Sequence, residues 1–101
     1  MDPTPQTLKV GKTVTHDYLT LRVTEPGTGN RLNLTASRYK DRASGKGIDV
    51  AMLKQACASL ARLRNATGRP PGSSSTIGAM IDALEIKAKS CATLAEFVAA
   101  M

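Results

Sequence analysis

Apolar and polar positions alternate most clearly between residues 19 and 24, where Leu19, Leu21 and Val23 are interleaved with Thr20, Arg22 and Thr24. A period of two is the pattern of a strand buried on one face. Leu32, Leu34 and Ala36 repeat it against Asn33, Thr35 and Ser37. Between the two runs stands Glu25-Pro26-Gly27-Thr28-Gly29-Asn30, a turn sequence in which proline presets φ and the glycines accept positive φ. Residues 18–39 therefore predict a β-hairpin. Leu8, Val10 and Val14 predict an earlier strand, with Lys12 interrupting the series as edge strands commonly do.

The period changes after residue 48. Val50, Leu53, Ala56, Cys57, Leu60 and Leu63 fall on one side of a helix, with Asp49 as its N-cap. Lys54, Gln55, Ala58, Ser59, Arg62 and Asn65 fall on the other, with Arg64 at the boundary. Gly68 and Pro70-Pro71 end it. A second helix, capped by Ser75 or Thr76, carries the stripe Ile77, Met80, Ile81, Leu84, Ala88 and Cys91. Thr93-Leu94-Ala95-Glu96 has the capping-box form and opens a short third helix with Leu94, Phe97, Val98 and Met101 inward.

These elements define an α+β fold: an N-terminal antiparallel β-hairpin or three-stranded meander packed on two to three C-terminal α-helices. The expected organisation is one domain over residues 1–101. It comprises a β-sheet part at 7–39, a basic loop at 40–47, a helix at 49–67, a linker at 68–75 and a helical part at 76–101. The helix at 50–66 is the expected cover for the apolar hairpin face.

Composition narrows the chemistry. Hydrophobic residues make up 42% and aromatics only 3%, so the core must be aliphatic and disorder throughout is excluded. No apolar run reaches the ~18 residues that span a bilayer. The first residues lack a basic and then apolar leader, which predicts a cytoplasmic protein. Two cysteines and one histidine are too few for a disulfide scaffold or a self-contained zinc site. Cys57 and Cys91 lie on apolar stripes and read as small buried hydrophobes. A bridge between them would require the two helices to pack together. His16 and Asp17 are strand neighbours that point to opposite faces, so they form no dyad. Asp82 and Glu85 share a solvated helix side, away from the apolar stripe. The sequence thus predicts no catalytic residues, no metal and no cofactor.

Charge is the strongest functional signal. The formal net charge is +6. Residues 31–69 hold nine bases and two acids, while the flanking segments are close to neutral. Such a block suits an anionic partner. The candidate binding residues are Arg22, Arg31, Asn33, Arg38, Lys40, Arg42, Lys46, Lys54, Arg62 and Arg64. Arg22 and Asn33, with Thr20, Thr24 and Thr35, fall on the outward hairpin face together with Tyr39, and are types that contact bases and phosphates. Ser44-Gly45-Lys46-Gly47 precedes a helix but is not a phosphate-binding P-loop, because Gly47 replaces the required Ser or Thr. The expected function is non-enzymatic: a small basic regulatory or interaction protein that binds nucleic acid or a nucleoprotein complex. The scarcity of aromatics favours duplex or backbone recognition over base stacking. The alternative is a protein–protein adaptor or inhibitor, with or without a homodimer, that occludes a larger machine by meeting an acidic surface with the same charges. No membrane role is expected, since no basic amphipathic helix carries bulky apolar anchors.

Overall fold

The computed structural model describes residues 6–15, 18–38, 40–66 and 74–101. Expectations for His16, Asp17, Tyr39, the Gly68 and Pro70-Pro71 stop and residues 68–73 of the linker lie outside these residues. Four strands precede three helices: β1 (Lys9–Val14), β2 (Tyr18–Thr24), β3 (Arg31–Ser37), β4 (Asp41–Lys46), α1 (Val50–Ala66), α2 (Ser74–Lys89) and α3 (Leu94–Ala100). The strands form an antiparallel meander in sequence order, so β1 and β4 are its edges.

Hairpin β2–β3 follows the alternation. Leu21, Val23, Leu32, Leu34 and Ala36 are fully buried, and Leu19 packs against them. Its turn is closed by the Glu25 N–H donating to the Asn30 carbonyl at 2.8 Å.

The expected loop at 40–47 is instead strand β4, with Arg42 opposite Thr35 and Ser44 opposite Asn33. Apolar alternation could not reveal it, because its core-facing positions are Asp41, Ala43 and Gly45. Gly45 is required where it stands: a Cβ there would run into the Arg31 carbonyl oxygen. The strand ends at Gly47, whose φ of 74° favours glycine.

The fourth strand also changes the covering of the sheet. Helix α2 packs across β2 and β1, while α1 lies over β4 and the edge of β3. The hairpin is therefore covered chiefly by α2 rather than by α1. Helix α1 starts as expected, with the Met52 N–H donating to Asp49 Oδ1 at 2.8 Å. Its inward side keeps most of the expected stripe, with Leu53, Ala56, Leu60 and Leu63 against the core, but Val50 is 65% exposed and Ser59 is buried. Ser59 keeps a partner, accepting a hydrogen bond from Arg62 at 2.8 Å. Helix α2 begins at Ser74, so Ser75 and Thr76 are inside it rather than capping it. All six of its predicted stripe residues are buried. Cys57 and Cys91 are free thiols.

Charged residues on the core face of each edge strand are captured by a helix. On β1, the Lys12 amine lies 3.0 Å from Asp82 and 3.8 Å from Glu85 of α2. The hydrogen bond to Asp82, then the charges of Asp82 and Glu85, raise the Lys12 pKa. Glu85 also lies 3.9 Å from Lys89. On β4, Arg64 of α1 reaches Asp41 with two nitrogens, at 2.5 and 3.2 Å. The same guanidinium donates to the Ser37 and Arg38 carbonyls, both at 2.7 Å. These side chains are only 12% and 9% exposed, so the contact counts for more than a solvated surface pair.

Helix α3 is capped by Thr93, which accepts from the Glu96 N–H at 3.1 Å. The reciprocal half of the predicted capping box differs: Glu96 meets the Thr93 hydroxyl, at 3.2 Å, rather than its N–H. The remaining donor is met from the β2–β3 turn, where Glu25 Oε2 accepts from the Leu94 N–H at 2.9 Å. This bond, and a second from Thr28, lower the Glu25 pKa. Among the described residues, no helix is long and apolar enough to cross a membrane.

Two stability predictions follow from these contacts. Replacing Arg64 with Ala strands Asp41 and two carbonyls, and should cost about 2–4 kcal/mol in urea unfolding. Lys should recover only part of this, because an ammonium cannot make the same fork. A loss in Arg64→Ala below about 0.5 kcal/mol, the usual size for a surface change, would contradict the anchoring role. For Glu25, a lowered folded-state pKa means that stabilisation is present above the ordinary value of 4.5. It is lost as pH falls through the lowered value. The melting temperature of Glu25→Gln should therefore lie below wild type at neutral pH and converge on it in acid. A gap that persists unchanged through the acid range would contradict the carboxylate's role.

Candidate functional site

The helices occupy one face of the sheet and leave the other to solvent. Register and alternation fix what that outer face carries. Arg22, Asn33 and Ser44 form one cross-strand row, continued on β1 by Gly11. The next row is Thr13, Thr20, Thr35 and Arg42. A third, at one end, is Lys9, Thr24, Arg31 and Lys46. At the other end Tyr18 stands opposite Ser37.

Among the described strand positions of this face there is no carboxylate, against five bases: Lys9, Arg22, Arg31, Arg42 and Lys46. The ion pairs among the described residues lie at the helix layer and involve none of these five. Like charges at this density repel one another, a cost that an anionic ligand would remove.

The middle of the face is an open depression of about 540 Å³. Thr20, Asn33, Thr35, Ser37 and Ser44 give it a floor of short polar side chains, with Tyr18, Arg22, Lys40 and Arg42 around them. The Thr20 and Thr35 hydroxyls are 3.1 Å apart and hydrogen-bond across the strands. Asn33 is different: its Oδ1 is buried and has no hydrogen-bond partner. A buried acceptor left unmet costs about 1–3 kcal/mol, so it calls for a reason.

The structure separates the sequence-predicted candidates. Arg22, Arg31, Asn33, Arg42 and Lys46 come together on the outer face, and Lys40 joins them from the β3–β4 turn. Arg38 is exposed in the same turn, and its carbonyl accepts from Arg64. Lys54, Arg62 and Arg64 lie on α1, in the helix layer. Arg64 is committed to Asp41 and the turn carbonyls, which is a structural role. Sequence reasoning left out Lys9, Tyr18, Ser37 and Ser44 as site residues. Ser37 and Tyr18 continue the alternation of β3 and β2, while only the cross-strand register brings Lys9 and Ser44 to this face.

The face can neutralise and hydrogen-bond an extended anion. Among the described residues, no three His, Cys, Asp or Glu side chains gather as a metal site would require. Comparison of the chain with known protein families, with characterised proteins and with solved structures finds no match.

Proposed function

We propose that this chain is a small basic interaction protein that binds nucleic acid, free or within a nucleoprotein complex, through the outer face of its sheet. The observation that carries this reading is the set of five bases on the described strand positions of that face, with no carboxylate among them. Phosphates are the ligand groups that such a face complements best. Arginines and lysines neutralise them, and hydroxyls, amides and exposed strand ends donate hydrogen bonds to their oxygens. An acidic protein surface is the competing partner, and salt dependence separates the two.

Neutralising a phosphate releases condensed counterions, so affinity falls with a slope of about −0.7 to −0.9 in log–log salt plots per contact. Six contacts, from the five strand bases and Lys40, predict a loss of about 300- to 2,000-fold between about 50 and 200 mM salt. Fluorescence anisotropy with labelled DNA and RNA measures this directly. The Arg22, Arg31, Arg42 triple alanine variant should flatten the slope by about three contacts. Lys54→Ala with Arg62→Ala should leave it unchanged. Equal effects from the two variants, or no binding of any nucleic acid at low salt, would contradict the proposal.

A further inference from the structure

Resting on that reading, the same face carries information about what form of nucleic acid it takes. Three observations converge on the central depression.

The first is shape. The depression is an open concavity of about 540 Å³ in the middle of the face. Short side chains form its floor and long cationic ones surround it, so the reading groups are recessed. Strands β1 and β4 are three strand spacings apart, about 14 Å. A B-form major groove is about 12 Å wide and admits a two-stranded ribbon. A four-stranded sheet cannot follow it down to paired base edges, and a recessed floor cannot reach them. Unpaired bases splay outward and can enter the depression themselves.

The second observation is Asn33. Its buried Oδ1 needs a hydrogen-bond donor. A phosphodiester only accepts, so phosphate alone cannot satisfy it. Turned edge-on to solvent, the amide presents a donor and an acceptor side by side. That pair is complementary to the N6/N7 edge of adenine.

The third is Tyr18. It stands 44% exposed at one end of the depression, on an otherwise polar face. Two rows separate it from Asn33, about 13 Å along the strands. One base stacked on Tyr18 and a second base, two nucleotides further along the strand, with its edge on Asn33 would span that distance.

We propose that the depression binds a short segment of single-stranded nucleic acid, with one base stacked on Tyr18, an adenine edge on Asn33 and the intervening phosphates on Arg22, Lys40 and Arg42. The expectation of duplex recognition drawn from the scarcity of aromatics is thereby replaced. One tyrosine suffices when most of the affinity comes from phosphates, and base choice falls to one amide.

The test titrates the protein into labelled oligo-A, oligo-U or oligo-T of about 12 nucleotides and a mixed-sequence hairpin duplex of similar size, as DNA and as RNA, which also shows which sugar is taken. Oligo-A should bind more tightly than oligo-U or oligo-T by about 5- to 150-fold, the usual worth of a bidentate base contact. Asn33→Thr should erase that preference without changing the salt slope. It should fold at least as stably as wild type, since it removes the unmet acceptor and places a strand-favouring residue in a threonine-rich face. Tyr18→Leu should weaken every single strand by about 5- to 150-fold and the hairpin little. Tyr18→Phe, which keeps the ring, should bind as wild type does. A duplex bound as tightly as oligo-A, or Asn33 and Tyr18 variants indistinguishable from wild type, overturns the proposal while leaving general nucleic-acid binding intact. Failure of every nucleic acid to bind overturns both readings.

Discussion

Helices α1 and α2 pack on the same face of the sheet, with α3 against both of them, and the rest of the molecule depends on that one-sided covering. The inner face is made of rows such as Val10, Val23, Leu32 and Gly45, or Lys12, Leu21, Leu34 and Ala43, which are apolar in the middle and charged or small at the edges. The middle is driven against the helix layer, α2 above all, by burial, at roughly 25 cal/mol per Å² of apolar surface. The edges need a different device, because a lysine and an aspartate point inward there. Lys12 is held by Asp82 and Glu85, and Asp41 by Arg64. The two anchors differ in weight. Asp82 is 63% exposed, so solvent screens its pairing with Lys12 and the pair contributes little. The Arg64 fork also ties down the Ser37 and Arg38 carbonyls and lies close to buried, which makes it the contact that fixes α1 to β4.

With one face closed, the other is left to solvent. The same alternation that buries Leu21 and Leu34 turns Thr20, Arg22, Asn33 and Thr35 outward. Strand β4 completes this surface by adding Arg42, Ser44 and Lys46. Arg64 therefore serves the site indirectly: by holding Asp41 inward it keeps Arg42 outward and the β3–β4 turn closed. The described bases of the 31–69 block divide by place: Arg31, Arg42 and Lys46 stand on the outer face, Arg38 and Lys40 in the β3–β4 turn, and Lys54, Arg62 and Arg64 on α1.

Much of this was legible in the chain, and the parts that were not share a cause. Hairpin β2–β3, the α2 stripe and the Asp49 cap are local patterns of period or capping, and they fold as read. Strand β4 was not legible, because Asp41-Arg42-Ala43-Ser44-Gly45-Lys46 offers one inward apolar residue. It is a strand because β3 supplies hydrogen bonds and Arg64 receives Asp41. On α1 most of the expected stripe faces the core, but Val50 is exposed and Ser59 is buried, because the neighbours that decide both are distant in sequence. The site followed the same rule. Arg22 and Asn33 were visible from alternation, whereas Lys9 and Ser44 needed the register of strands paired across turns. Arg64 looked like one more member of a basic block, since a charge does not announce its partner.

The central claim is that the working surface is the outer sheet face and not the helix layer. Amide shift mapping by ¹⁵N-resolved NMR, on adding a single-stranded oligonucleotide at low salt, tests it most directly. The account predicts that the largest changes fall within residues 18–24 and 31–46, with α2 and α3 unmoved. Changes centred on Lys54 and Arg62 of α1, or on α2 and α3, would contradict it.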